Sequence, residues 1–359
     1  MMNGRASAPI RRPFRVASGM LASFLLCLSW SGLAAGQGMP ILDVVIGNNF
    51  GHLPMFVGVD KGFFKQHDVD VRLKVVNTGS DMVAAMQKRE VQIGDMSVTT
   101  FIKARHRGDP LRVIAIIMND ATTRSFDEPL AVVARKGSGI RPGLLEDLRG
   151  KRVGLAREQT SDEFFKMALS RRGMRYDEVT IENIMSPPAL VRALAEGKVD
   201  AVVSWEPFNT MVLERVPDSY VVLRGGGHLA YIMVATAHEP TLQSQPGVVR
   251  NFIAGLAEAS QYTRQHREEA VEIFSRWVPN VDLPIAKKAI QHIRYDPRIS
   301  KYSLRAFEEA QDDVLRLTLT NVPARLPIPD QFNQSFLDEV QRAYPQYFSD
   351  LAPLPADAR

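Results

Sequence analysis

The chain has 359 residues, of which 45% are apolar and 23% are charged. It is long enough for two ordinary hydrophobic cores, and its composition is that of a globular protein. The first 36 residues contain four arginines and no acid, which accounts for the net charge of +4, and the rest has 40 basic and 40 acidic residues. This balance argues against a large phosphate-binding surface, and we expect no nucleic-acid partner.

Residues 1–36 have the pattern of a secretion signal. A basic region ends at Arg15, an apolar stretch follows, and small residues over 32–36 offer a cleavage site. The apolar stretch is shorter than the ~20 residues that span a bilayer. The pair Arg11 and Arg12 is also typical of twin-arginine signals, so both the general and the twin-arginine export routes stay open. We therefore expect an exported, periplasmic protein.

The single cysteine of the chain, Cys27, lies inside this signal. Leu26 precedes it, whereas a lipid-modified cysteine normally follows a small residue, so we expect a free protein and not a lipoprotein. The mature chain would then have no thiol. This excludes a disulfide, a thiolate metal site and a cysteine nucleophile after cleavage.

Strands and helices alternate at the start of the mature chain, which predicts an α/β unit with a parallel sheet. A helix carries Met55, Phe56, Val59, Phe63 and Phe64 at helical spacing. The predicted strands cover residues 42–47, 69–76, 91–96 and 113–118, and a helix over 81–88 separates the second strand from the third.

A second α/β unit begins near Leu130. Thr160 and Glu163 have the spacing of a capping box at the start of its first helix. The predicted strands cover residues 153–156, 179–184 and 199–203, with a further helix over 188–196. After Gly227 the pattern predicts a strand over 231–236 and then helices over 248–263, 268–277, 284–292, 303–319 and 331–343.

The two units repeat each other. Residues 85–97 (AMQKREVQIGDMS) correspond to residues 193–205 (ALAEGKVDAVVSW), and tandem units of this kind predict two lobes. We expect residues 37–130 and 228–350 to form lobe 1 and residues 131–227 to form lobe 2. Residues 351–359 are expected to form a flexible tail.

Four motifs together resemble a known family. They are residues 56–64 (FVGVDKGFF), 148–154 (LRGKRVG), 194–201 (LAEGKVDA) and 205–208 (WEPF). In this order and spacing they are similar to the nitrate/sulfonate/taurine-type solute-binding proteins of ABC importers. The resemblance implies an α/β fold of the type II periplasmic-binding-protein class, with two lobes joined by crossover strands and a ligand cleft between them.

Ligands of open α/β sheets bind beyond the carboxyl ends of the strands, so the loops after the strands supply the candidate ligand-binding residues. Three of these loops feed helix N-termini, where free N–H groups attract anions. The candidates are Asn48, Asn49, Phe50, His52, Thr78, Gly79, Ser80, Asp95, Met96, Ser97, Gln159, Thr160, Ser161, Trp205 and Glu206.

Each candidate also has a purely structural interpretation. The loops can be ordinary caps, Asp95 can cap its own helix, and His52 can be a solvated or capping residue. Trp205 can pack the lobe beside a solvated Glu206, although the resemblance places this motif at the cleft. We assign no catalytic residue, metal site or cofactor.

The resemblance implies a periplasmic solute-binding protein, not an enzyme, that captures a small polar ligand of the sulfonate, nitrate or taurine type by hinge closure. Its partners would be the ligand and an ABC permease with its ATPase, and we expect a monomer. Residues 52–57 (HLPMFV) also resemble the pyrimidine-precursor branch of this superfamily. A pyrimidine-precursor-binding or biosynthetic protein of the same fold, or a periplasmic ligand sensor, therefore stays as an alternative.

Overall fold

The computed structural model describes residues 38–279, 281–318 and 324–359, so the predicted secretion signal lies outside the described residues. The strands are β1 (Ile41–Gly47), β2 (Asp70–Val76), β3 (Ile93–Ser97), β4 (Leu111–Met118), β5 (Leu130–Ala134), β6 (Arg152–Leu155), β7 (Thr180–Asn183), β8 (Ala201–Trp205), β9 (Tyr220–Arg224) and β10 (Met233–His238). The helices of the first two thirds are α1 (Leu53–Asp60), α2 (Phe63–Gln66), α3 (Gly79–Gln87), α4 (Val98–His106), α5 (Thr160–Arg171), α6 (Pro187–Ala195) and α7 (Phe208–Arg215).

The last third is mostly helical, as the sequence predicts. Its helices are α8 (Glu239–Ser244), α9 (Pro246–Gln265), α10 (Arg267–Trp277), α11 (Leu283–Ala289), α12 (Lys301–Thr318) and α13 (Ser335–Ala343). Helix α9 packs on α1 and α2, whereas α12 contacts both α4 and α5. Among the described residues, no helix has the length and apolar character needed to cross a membrane.

Two five-stranded sheets define two lobes. The strand order is β2-β1-β3-β10-β4 in lobe 1 and β7-β6-β8-β5-β9 in lobe 2. In each sheet four strands run in one direction, and the fifth strand, β10 or β5, is antiparallel to both of its neighbours. The two-lobed α/β fold predicted from the repeat is confirmed. The expectation of purely parallel sheets was wrong, because a strand that enters from the other lobe runs against the rest.

The three helices nearest the cleft follow loops that the sequence predicts to feed helix N-termini. Helices α3, α4 and α5 begin directly after β2, β3 and β6, at the carboxyl ends of parallel strands. The side chain of Thr78 caps α3 by accepting a hydrogen bond from the Asp81 N–H, and Ser97 caps α4 by accepting one from the Thr100 N–H. These caps satisfy donors that a helix start leaves free and fix both helices at the edge of the sheet.

Two crossover segments connect the lobes, and one carboxylate joins them. Asp127, on the way into lobe 2, is buried and accepts hydrogen bonds from the backbone N–H groups of Gly227, His228 and Leu229, at 2.9, 2.7 and 3.2 Å. Residues 225–227 are glycines with φ values of 52, 107 and 70°, a conformation that other residues rarely adopt. The two crossovers thus run side by side.

Residues 351–359, for which the sequence predicts a flexible tail, have a defined position in the structure. Residues Ala356–Ala358 form a 3-10 helix, and Ala358 is buried. Tyr302 on α12 donates a hydrogen bond to Asp357. The end of the chain therefore packs on α12.

Candidate ligand-binding site

A cavity lies between the lobes. It encloses about 40 Å³ of free space, and a group the size of water needs ~10–15 Å³. The closed cleft therefore has room for a compact polar group. Its lining residues are Gly47, Asn49, His52, Asn77, Gly79, Met82, Ser97, Thr100, Gln159, Thr160, Trp205, Tyr231 and Met233.

Hydrogen bonds between the lobes close the cleft. The backbone N–H of Gly79, at the start of α3, donates to the side-chain oxygen of Gln159 at 3.0 Å. The hydroxyl of Thr160 lies 3.0 Å from that of Ser97 and 3.2 Å from that of Thr99. The N-termini of α3, α4 and α5 thus meet around the cavity, as expected for loops at the carboxyl ends of strands.

A buried ion pair lies beside these contacts. Lys103 on α4 pairs with Glu163 on α5, and their side chains are 10% and 3% exposed. Lys103 also donates a 2.6 Å hydrogen bond to the carbonyl of Glu158. Burial raises the pKa of the Glu163 carboxyl above its usual range, and the nearby Lys103 charge offsets this only in part. The ion pair joins the two lobes and exists only while they are in contact.

A second pair of ionisable groups lies at the wall of lobe 1. His52 ends the 3-10 helix Phe50–His52, and its Nδ1 lies 2.8 Å from Oδ2 of Asp95 on β3. Both side chains are fully buried. The two groups are close, but their geometry is not that of a well-aligned hydrogen bond. Burial raises the pKa of the Asp95 carboxyl, and His52 opposes that shift.

Trp205, the last residue of β8, supplies the wall from lobe 2. It is 8% exposed, and its Nε1 has no hydrogen-bond partner among the described residues. An indole N–H only donates, so a buried one without a partner favours an acceptor from a ligand. Phe208 packs edge-on against the indole ring, with ring centroids 6.5 Å apart.

The structure brings seven of the predicted residues to the cavity: Asn49, His52, Gly79, Ser97, Gln159, Thr160 and Trp205. Two of them have roles that differ from the expected ones. The N-cap of α5 is Gln159 and not Thr160, whose hydroxyl instead bonds Ser97 across the cleft. The expected capping box with Glu163 was therefore wrong, since Glu163 pairs with Lys103.

Two predicted carboxylates have protein partners. Glu206 is buried and pairs with Arg224, with Oε1 and Nη1 2.7 Å apart, and it does not line the cavity. The sequence leaves two roles open for Glu206, a ligand contact and a solvated side chain. Its buried, paired position matches neither of them. Asp95 lies behind His52, and the cap of α4 is Ser97, so Asp95 does not cap that helix.

Six further candidates lie outside the cavity lining. Asn48 donates to the side chain of Asn77, Phe50 packs on Phe274, and Met96 is buried in the core. Thr78 caps α3, Ser80 is exposed, and Ser161 is buried without a partner for its hydroxyl. These six residues belong to the nominated loops, but their side chains are not part of the cavity lining.

Six lining residues were missed: Gly47, Asn77, Met82, Thr100, Tyr231 and Met233. Gly47 ends β1, and Asn77 follows β2, so the rule that nominated the other loops applies to both of them. Met233 is the first residue of β10, and Tyr231 lies two residues before it. No local signal identifies them, because β10 reaches this edge only by running antiparallel to β3.

The fold and the site define a two-lobed protein of the periplasmic-binding-protein class, with its cavity between the lobes. In the described part of the chain, no cluster of three or more His, Cys, Asp or Glu side chains is arranged to hold a metal ion. Residues 49–270, more than half of the chain, match the family described as NMT1/THI5 like. The chain belongs to this family.

Its relatives include binding proteins and synthases. A protein of Brucella abortus (strain 2308) described as a binding protein is 21% identical over 262 residues, which are 72% of this chain and 77% of the relative. A 4-amino-5-hydroxymethyl-2-methylpyrimidine phosphate synthase of Saccharomyces cerevisiae is 22% identical over 254 residues, 67% of this chain and 71% of the relative. The structure of the periplasmic aliphatic sulphonate binding protein SsuA from Escherichia coli covers 81% of this chain and 97% of its own, with a TM-score of 0.69 and 16% identity.

Proposed function

We propose that this protein is a periplasmic solute-binding protein of an ABC importer, which captures a small polar ligand of the sulfonate, nitrate or taurine type by hinge closure. The observation that carries the proposal is the cavity closed between the two lobes. Residues of both lobes line it, and two of them, His52 and Trp205, have buried side-chain nitrogens without a hydrogen-bond partner among the described residues. Such a site gains ligand contacts only when the lobes close, which couples binding to closure.

The cavity supports the proposed ligand class by its chemistry. Among its described lining residues there is no Lys, Arg, Asp or Glu, while amides, hydroxyls, an imidazole and an indole are present. Neutral donors of this kind suit a compact oxyanion head group.

The proposal extends to partners and compartment. The ligand would pass from the closed protein to a membrane permease driven by its ATPase, and the protein would act as a periplasmic monomer. The likeness to SsuA, a protein whose name states that it is periplasmic and binds sulphonate, supports this assignment.

A second candidate function is the binding or synthesis of a pyrimidine precursor. The family and the yeast synthase relative favour it. No lysine or cysteine is among the described residues that line the cavity, which gives the site no amine or thiol nucleophile. We therefore rank this function second.

Calorimetric titration separates the two functions. We expect ethanesulfonate, taurine or nitrate to bind with a heat that saturates at one ligand per chain. The matched competitor is 4-amino-5-hydroxymethyl-2-methylpyrimidine phosphate. Binding of the pyrimidine alone would contradict the first proposal and support the second.

Replacing Trp205 by Ala is expected to weaken ligand binding by about 1–3 kcal/mol, the range for loss of a large aromatic contact at a binding site. Calorimetry with the ligand found above measures this change, and a melting curve shows whether the variant stays folded. Trp277→Ala is the matched control, because Trp277 packs on Phe56 and does not line the cavity. Equal loss of affinity in both variants would contradict a ligand contact at Trp205.

A further inference from the structure

The contact between His52 and Asp95 places an ionisable side chain at the ligand cavity. Nδ1 of His52 lies against the Asp95 carboxylate at 2.8 Å, and the ring lines the cavity. Nε2, on the other side of the ring, has no hydrogen-bond partner among the described residues. A fully buried imidazole nitrogen without a protein partner calls for one from a ligand.

The backbone beside the His52 ring leaves room for the ring because residue 47 is a glycine. A Cβ atom at Gly47 would lie 2.5 Å from Nε2 of His52 and 2.9 Å from the terminal methyl carbon of Met82. Any other residue at position 47 would therefore push the ring or Met82 out of place. Gly47 is itself a lining residue, so the space that it leaves open is occupied by the imidazole.

The other titratable groups near the pair do not supply a cation to the cavity. Tyr231, two residues before β10, interacts with Asp95, and burial raises the pKa of its hydroxyl, which keeps it neutral. Tyr295 donates a hydrogen bond to the carbonyl of Phe50, and burial raises its pKa too. Lys103 on α4 is held by Glu163. Among the described lining residues, only His52 has a side chain that can carry a positive charge.

The number of protons on the His52–Asp95 pair determines how well the cavity can bind an anion. With both ring nitrogens of His52 protonated, the pair has no net charge and Nε2 donates into the cavity. When Nε2 loses its proton, a buried negative charge remains at Asp95 and Nε2 becomes an acceptor. Both changes disfavour an anion, since an uncompensated buried charge is costly and now repels the ligand.

We infer that the cleft binds its anionic ligand together with a proton held by the His52–Asp95 pair, so that capture is strong in acid and weakens as the pH rises. This rests on the proposed function, since it concerns the same cavity. The pair acts as a proton-dependent donor in place of the Arg or Lys that the lining lacks.

The sign of the pH effect follows from linkage. The contribution of the pair to affinity is fully present below the pKa of the second proton and is lost above it. The dissociation constant is expected to rise by up to about tenfold per pH unit in that range. At alkaline pH binding is expected to take up about one proton per ligand.

The test uses the whole mature protein with nitrate and ethanesulfonate, two anions whose own charge is constant between pH 5.5 and 8.5. Calorimetric titrations at both pH values measure the dissociation constants. Repeating the pH 8.5 titration in phosphate and in Tris buffer measures the protons taken up. We expect weaker binding by about tenfold or more at pH 8.5 and a binding heat that depends on the buffer.

Two variants assign the effect to the pair. The double variant His52→Gln/Asp95→Asn keeps an N–H donor but contains neither ionisable group of the pair, and it should bind with an affinity that no longer changes with pH. His266→Gln is the matched control, because His266 is exposed, stacks on Tyr262 and does not line the cavity. It should keep the pH dependence of the unmodified protein.

The unmodified protein alone can overturn the inference, even where His52→Gln/Asp95→Asn fails to fold. Equal affinity at both pH values without proton uptake would overturn it and leave the solute-binding function intact. Persistence of the full pH dependence in His52→Gln/Asp95→Asn would also overturn it. If neither anion binds at either pH, the inference and the proposed ligand class both fail.

Discussion

Replacing Lys103 by Met is expected to weaken ligand binding at pH 8 by about 3–5 kcal/mol, the cost of leaving one member of a buried ion pair without its partner. Lys103 and Glu163 belong to different lobes and meet only in the closed cleft. In an open protein, water would hydrate the Glu163 carboxylate. The cost of the substitution therefore falls on closure and not on the folding of either lobe.

The same substitution has a pH signature. Without Lys103, the closed cleft can avoid the buried charge by protonating Glu163, whose pKa burial already raises. Protonation becomes easier by about 1.4 kcal/mol for each unit by which the pH falls toward that pKa. The defect of Lys103→Met should therefore be smaller at pH 5.5 than at pH 8.

Solution scattering and calorimetry together measure this effect. Lys103→Met with ligand should keep the larger radius of gyration of the open state until more ligand is added. The double variant Lys103→Met/Glu163→Met should recover most of the affinity, since apolar residues often replace a buried ion pair without loss. Lys166→Met is the matched control, because its partner Asp162 lies on the same helix. An unchanged affinity in Lys103→Met would show that this pair does not hold the lobes together.

The two lobes could be predicted because the sequence contains an internal repeat. The repeated segments 85–97 and 193–205 contain strands β3 and β8, which occupy the same position in the two sheets. Each is the third strand of its sheet and lies next to the antiparallel strand. The direction of β5 and β10 could not be predicted in the same way. Both strands are buried at every position, which is the pattern typical of parallel strands covered on both faces, whereas their direction depends on the crossover between the lobes.

The part of the candidate site that could be predicted from the sequence is the part whose position the backbone topology determines. Loops after parallel strands give Asn49, Gly79 and Gln159, because the topology alone brings these ends together. The partners of charged side chains follow no such rule. Asp95 finds His52 on another element, and Lys103 finds Glu163 in the other lobe. Sequence spacing has no information about such pairs, so a carboxylate near the cleft looked like a ligand contact.

Glu206 is the clearest such case and gives the second large expected effect. Its Oε1 pairs with Arg224 at 2.7 Å, and its Oε2 accepts a hydrogen bond from the backbone N–H of Thr210 at 3.1 Å. The side chains of Glu206 and Arg224 are 0% and 13% exposed. The pair ties the end of β8 to β9, next to Trp205, and so holds the wall of the cavity without contacting it.

Replacing Glu206 by Ala is expected to lower the free energy of unfolding by about 3–5 kcal/mol, because Arg224 is left buried without its counter-charge and the Thr210 N–H without an acceptor. Urea unfolding measures this loss. Glu196→Ala is the matched control in the same lobe, since Glu196 and Lys198 form an exposed pair of the kind that contributes about 0–1 kcal/mol. The double variant Glu206→Met/Arg224→Met should regain most of the stability. Ligand affinity of the folded Glu206→Ala protein should stay close to that of the unmodified protein, whereas a large loss of affinity without loss of stability would return Glu206 to the ligand-binding residues.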